Sequence, residues 1–285
     1  MKDIIVPLDF SDDAVKGLEL AILLSQKTPV KIQMVYVQRK AAEGIPSSAE
    51  EEYKQAERKF HKIIEYYSSK LGSDSQLTYI IKKGKVYQEI VAQAQAFPES
   101  VIVASTHGAS GFEELFIGSN AHRIISATDR PVITIRKSPV PENIARIVLP
   151  INTTVNSRQK VIFTAHLAQI FGSEIHVVSV SSSHSKKIVS RLNAYSQQVI
   201  NFLKSKELNY KSATLFGNNY TSMIIDYAES IHADLISMIN ESGGSLTDLI
   251  VSGTAQQMIS KSSIPVLVIR AKEHFIKGSF STFGE

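Results

Sequence analysis

The chain has 285 residues, 43% of them apolar and 20% charged, and it contains no cysteine. That length carries about two ordinary domains with their cores, and the absence of thiols excludes disulfides, thiol catalysis and Cys-ligated zinc. A formal charge of +4, with Lys and Arg scattered among acids, offers no basic stripe of the kind a nucleic-acid partner needs.

No apolar run approaches the roughly 18 residues of a membrane span. The opening Met1 to Asp9 runs straight into a strand-like pattern without a signal peptide's features. The expectation is a cytoplasmic protein without a membrane partner. Ile4 to Leu8 reads as a buried strand ending at Asp9. Ser11 then caps an amphipathic helix with Asp12 and Asp13 in its first turn and Leu18, Ala21, Ile22 and Leu24 inward. Pro29 closes it, and Val30 to Val37 is the second strand. Ser47 and Ser48 form capping boxes with Glu50 and Glu51, opening a long helix whose apolar face is Tyr53, Ala56, Phe60, Ile63 and Ile64. Gly72 ends it.

A third strand spans Leu77 to Ile81, and a third helix runs from Val86 to Ala96 with Ile90, Val91 and Ala94 inward. The fourth strand, Val101-Ile-Val103, leads into the glycine-bearing stretch Ala104 to Asn120, a fourth helix follows, and Pro131 to Ile135 is the fifth strand. Strands alternating with helices predict a parallel sheet covered on both faces.

After Lys137-Ser-Pro-Val-Pro-Glu-Asn143 the pattern starts again. Val177 to Val180 echoes Met34 to Val37 at a spacing of 143 (180 − 37), Leu192 to Leu203 repeats the long apolar face, and Pro265 to Arg270 nearly copies Pro131 to Arg136. The reading is two tandem Rossmann-like α/β units: 1–137, a linker at 138–143, 144–270, and a tail at 271–285. Each unit is predicted to hold a five-stranded parallel sheet of order 3-2-1-4-5. Phe275, Phe280 and Phe283 in the tail could dock on a neighbour.

Ligands of open parallel sheets bind beyond the carboxyl ends of the strands, where the strand order reverses. Here that lies between strands 1 and 4, so Asp9 and Ala104 face one crevice walled by Val37. A carboxylate for base or ribose, an apolar edge and a glycine loop for phosphates suit an adenine nucleotide. Each feature also has an ordinary explanation: Asp9 as a turn or capping residue, Val37 as core, the loop as a plain connection.

The run Ser105 to Ser119 resembles the ATP-binding loop of the universal stress protein family, a glycine, two residues, a second glycine, nine residues, then glycine with Ser or Thr. Pro7 to Ser11 and Met34 to Val37 resemble two further signatures of that family. The resemblance implies a Rossmann-like fold, pairing of units through their fifth strands, and ATP binding or a relative that has lost it. Carried over by position, it implies base and ribose contacts at Asp9 and Val37, beside Pro7 and Ala104. It implies phosphate contacts at Ser105, Gly108, Gly118, Ser119 and Asn120, with Mg²⁺ accompanying ATP. No metal-binding side chains and no catalytic residue are assigned.

The sequence departs from that pattern in places. Ser105 stands where the loop's first glycine is expected, and His107 is the only potential cation between Ala104 and Asn120. Fast phosphoryl transfer is therefore not expected. In the second repeat Asn152 replaces Asp9, and Gly253-Thr254 is matched to Gly118-Ser119, so that the loop gains one residue. Glu241 and Asp248 would repel a triphosphate, and a weaker or absent site is expected at Asn152, Val180, Gly243, Gly253 and Thr254. A nicotinamide dehydrogenase lacks its Gly-x-Gly-x-x-Gly after strand 1, and no His-Glu-x-x-His or Gly-x-Ser-x-Gly occurs. What remains is an ATP-binding module of the stress response, with slow hydrolysis as a variant, or a nucleotide-free interaction protein. The fifth strands are expected to pair the two units as a dimer would. Whether two chains pair further is left open.

Overall fold

The computed structural model describes residues 1–38, 46–106, 119–136, 138–241 and 253–272, with only the backbone described at 46–48 and 119. The chain divides into two compact units, Met1–Val140 and Pro141–Glu285.

In the first unit, strands β1 (Asp3–Pro7), β2 (Lys31–Gln38), β3 (Gln76–Lys83), β4 (Ser100–Ser105) and β5 (Val132–Ile135) alternate with helices. These are α1 (Asp12–Ser25), α2 (Pro46–Tyr67), α3 (Val86–Gln95) and α4 (Ser119–Ala127). The strands are parallel and ordered β3-β2-β1-β4-β5. Ile4, Ile5 and Val6 of β1 and Val101, Ile102 and Val103 of β4 are fully buried. Unbroken apolar runs of this kind are what a strand covered on both faces requires. Right-handed crossovers put α1 and α2 on one face and α3 and α4 on the other; α3 accordingly packs on α4, while α1 covers β1 and β4.

Local chemistry sets the helix starts. Ser11 is extended, and its Oγ accepts from Ala14 N at 3.2 Å, with Asp12 and Asp13 in the first turn as expected. On α2, Ala56 and Phe60 are buried, whereas Tyr53 is 39% exposed and Tyr67 takes up the buried role, its hydroxyl donating to Glu19 at 2.8 Å. Helical spacing identifies a face, but only the neighbouring elements decide how far along the helix that face is covered. The side chains of Ser47 and Ser48 lie outside the described residues.

The chain leaves α2 through a short 3₁₀ turn, Ser68–Lys70, and passes α1 so closely that a Cβ at Gly72 would lie 1.9 Å from Ser25 O. Gly72 N also donates to Ser25 Oγ at 3.2 Å, so the backbone cannot back away without losing that bond. Gly72→Ala is expected to cost about 2–3 kcal/mol through overpacking, seen as a lower urea midpoint with an unchanged m value.

The second unit repeats the plan with β6 (Arg146–Ile151), α5 (Val161–Phe171), β7 (Glu174–Ser181), α6 (Lys186–Ser205), β8 (Tyr210–Phe216), α7 (Tyr220–Ser230), β9 (Leu235–Asn240), α8 (Gly253–Lys261) and β10 (Val266–Arg270). Its order, β8-β7-β6-β9-β10, is the same 3-2-1-4-5 arrangement, again parallel. One difference bears on the site. Where α1 begins directly after its cap, the corresponding chain makes a 3₁₀ turn at Asn156–Arg158, and α5 starts only after Lys160. Thr154, at the position of Ser11, still accepts from Ser157 N at 3.3 Å, but Val155 and Asn156 replace the paired acids that start α1.

Candidate functional site

In each unit the chain's direction of travel reverses at the first strand, leaving a crevice at the carboxyl edge of the sheet. In the first unit Pro7 pairs with Val35 and Ile5 with Ile102. Continuing those registers brings Asp9 level with Val37, and Pro7 level with Ala104. The ends of β1, β2 and β4 therefore lie side by side on one edge, as the sequence implied. α1 packs closely on the end of β4: a Cβ at Gly17 would lie 3.4 Å from Ser105 N, at ordinary contact distance.

Asp9 is exposed, and its Oδ1 accepts from Ser11 N at 3.1 Å and from Ser11 Oγ at 2.5 Å. Phe10 between them adopts a left-handed φ of 64°, uncommon for an aromatic residue. Its ring packs 5.1 Å from Tyr36 and 4.9 Å from Phe60. Val37 and Ala104 are buried, Ser105 is half-buried, and Asn120 is exposed in the first turn of α4. His107, Gly108 and Gly118 lie outside the described residues, as does the side chain of Ser119.

The second unit builds the same turn with an amide. Asn152 Oδ1 accepts from Thr154 N at 2.9 Å and lies 2.8 Å from Thr154 Oγ1. That hydroxyl also lies 2.5 Å from Glu241 Oε1, at the end of β9. Asn152 and Glu241 border a cavity of about 90 Å³ that is also lined by Val180, Thr254, Tyr220 and Lys160, among others. Asn152, Val180 and Thr254 thus converge as expected. Gly253 opens α8 with nothing within 4 Å of where a Cβ would sit, and Gly243 lies outside the described residues.

The register corrects one alignment. β9 and β10 stand at a spacing of 134 from β4 and β5 (236 − 102 and 266 − 132). The same spacing pairs the buried Ala121, Ile124 and Ile125 of α4 with Ala255, Met258 and Ile259 of α8. Gly253 therefore stands opposite Ser119 and Thr254 opposite Asn120, and the second loop has gained no residue. Anchoring on the Gly-Ser and Gly-Thr pairs misled the sequence comparison, because buried helix positions fix an alignment more tightly than a loop glycine.

Sequence reasoning missed Lys160. It is 2% exposed, lines the cavity, and donates from Nζ to Ser157 O at 2.9 Å. Burial pushes its pKa down to about 7 against the opposing pull of Glu241. The available signal was positional. At the spacing of 143, Lys160 stands opposite Gly17, and it lies four residues before the buried Thr164, on the stripe that α5 turns inward.

Among the described residues, no group of three His, Cys, Asp or Glu side chains stands together to hold a metal ion, and no helix is long and apolar enough to cross a membrane.

Two doubly wound, Rossmann-like α/β units in tandem define a class of proteins built by duplication of one parallel-sheet unit. The chain belongs to the universal stress protein family, whose model matches residues 1–136 and 143–270. It is similar to Universal stress protein Slr1230 of Synechocystis, at 21% identity over 298 residues covering 95% of this chain and 100% of that protein. Universal stress protein MJ0531 of Methanocaldococcus jannaschii is 27% identical over 146 residues, 48% of this chain and 82% of that one. Among solved structures, a universal stress protein from Archaeoglobus fulgidus DSM 4304 shares the fold with a TM-score of 0.74 at 18% identity, covering 95% of this chain and 97% of that one.

Proposed function

We propose that this tandem universal stress protein is a cytoplasmic adenine-nucleotide-binding module of the stress response, holding ATP with Mg²⁺ in its first unit. The observation that carries this reading is the alignment of Asp9, Val37 and the end of β4 on one edge of the sheet at its reversal point. There Asp9 would accept from the ribose or base, Val37 would wall the base, and the chain running from Ser105 to Asn120 would face the phosphates. Neutralisation would fall to backbone N–H groups, the start of α4 and Mg²⁺, since the segment between Ala104 and Asn120 carries no Lys or Arg. Hydrolysis, if any, is slow. In the second unit Glu241 and the amide of Asn152 argue against a triphosphate.

Heating the purified protein and chromatographing the supernatant tests the reading, followed by thermal-shift titrations with ATP, ADP, AMP and cyclic AMP. Released adenine nucleotide, or stabilisation by Mg-ATP, is the expected result. A protein that releases none and is stabilised by none of the four is instead the nucleotide-free interaction protein. That alternative is favoured by one feature, the engagement of Asp9 Oδ1 by Ser11.

A further inference from the structure

The second unit's crevice holds a lysine amine almost wholly removed from water. An ammonium has three protons to place. Among the described residues, Lys160 Nζ has one acceptor, Ser157 O, and no carboxylate within ion-pair distance. A charged ammonium so poorly satisfied is costly, and the neutral amine is the form that the site favours. Arg158, from the preceding 3₁₀ turn, is directed elsewhere, its guanidinium 3.9 Å over the ring of Tyr195. Among the described residues, the other ionisable side chains lining the cavity are Glu241, from the end of β9, and Tyr220, from α7.

We propose that Lys160 is a carbonyl-trapping lysine, whose ε-amine condenses with small neutral aldehydes or ketones in this cavity to form an imine, with Glu241 and Thr154 relaying the protons. The Nζ lone pair adds to the carbonyl carbon and the C=O π pair moves to oxygen. The nitrogen passes a proton through Glu241 to the alkoxide, giving a carbinolamine. Glu241 then protonates that hydroxyl, water leaves as C=N forms, and the iminium nitrogen returns its remaining proton to the carboxylate. Amine and carbonyl compound yield imine and water, with no oxidant or reductant. Glu241 and the 2.5 Å contact from Thr154 Oγ1 to its Oε1 put a proton carrier in the same cavity. The same carboxylate disfavours anionic carbonyl compounds, and the cavity of about 90 Å³ disfavours bulky ones. The first unit cannot do this chemistry, because Gly17 stands where Lys160 does.

An ordinary lysine, with pKa near 10.4, is neutral in only about one molecule in 2,500 at pH 7, whereas burial lowers the pKa of Lys160 to about 7 and so makes its neutral amine far more abundant there. Incubating the full chain at about pH 7 with acetaldehyde and cyanoborohydride, then mapping N-ethyl groups by peptide mass spectrometry, tests the proposal. Lys160 is expected to be labelled first, ahead of exposed lysines such as Lys2 and Lys211, with a per-site preference on the order of 10²–10³. Lys160→Arg should remove that label and leave the others. Glu241→Gln should slow labelling at Lys160 alone, and an unchanged rate there would strike the carboxylate from the relay. Labelling confined to exposed lysines, or reaching Lys160 only after urea unfolding, would overturn the proposal.

Discussion

Replacing Lys160 by methionine is expected to stabilise the protein, and to do so most at acid pH. The two side chains have similar length and volume, so the change removes a buried ionisable group without opening a cavity. The folded-state pKa of Lys160 lies at about 7, below its ordinary value of 10.5. Between those limits the unfolded chain binds the extra proton, so stability rises with pH across the window. Above the unfolded pKa both states hold a neutral amine and the penalty vanishes. Below about pH 7 the folded protein must carry the buried charge, and the penalty is complete, on the order of 5 kcal/mol. Urea unfolding of both proteins at about pH 6 and about pH 9 measures this directly. The Lys160→Met advantage should be largest at the lower pH and shrink at the higher. A methionine variant no more stable than the parent at about pH 6 would show that Lys160 finds charge compensation when folded.

The second large effect concerns Asp9 and nucleotide. At a free Mg-ATP concentration near 100 times Kd, binding to the native state adds about 2.7 kcal/mol, or roughly 5–10 °C in Tm for units of this size. Asp9→Ala should abolish that shift, but it also removes the acceptor of Ser11 N and Oγ at the start of α1, a local cost of about 1 kcal/mol. Asp9→Asn separates the two roles. Asn152 shows that an amide oxygen makes the same pair of turn contacts, at 2.9 and 2.8 Å to Thr154. The asparagine variant should therefore keep the parent's Tm without ligand and lose most of the Mg-ATP shift. Asn152→Ala should leave that shift intact. Equal nucleotide stabilisation in the parent and Asp9→Asn would remove the carboxylate from the binding reading.

Where a residue's role depends on its neighbours in the chain, the sequence was a sound guide. Ser11 caps α1 because its hydroxyl sits three residues from the N–H it satisfies. Val101 to Val103 reads as a doubly covered strand because every position is apolar. The position of Asp9 beside the end of β4 also followed, because the alternation of strands and helices and the right-handed crossover leave few orders for a parallel sheet. Tyr53 failed because a helical stripe does not say where its covering sheet ends. The Gly253 alignment failed because a glycine in a loop is a weak marker, while Ala255, Met258 and Ile259 are pinned by burial.

The sequence by itself determined the duplication, the order of elements in each unit and the edge on which the strand-end residues gather, all of which follow from short-range patterns of polarity and turn chemistry. Only the tertiary structure decided what the second crevice contains. Lys160 and Glu241 are 81 positions apart (241 − 160) and come to line one cavity because β9 lies beside β6. The lysine's chemistry then follows from its removal from water, a property of the packed surroundings that no local pattern of residues encodes.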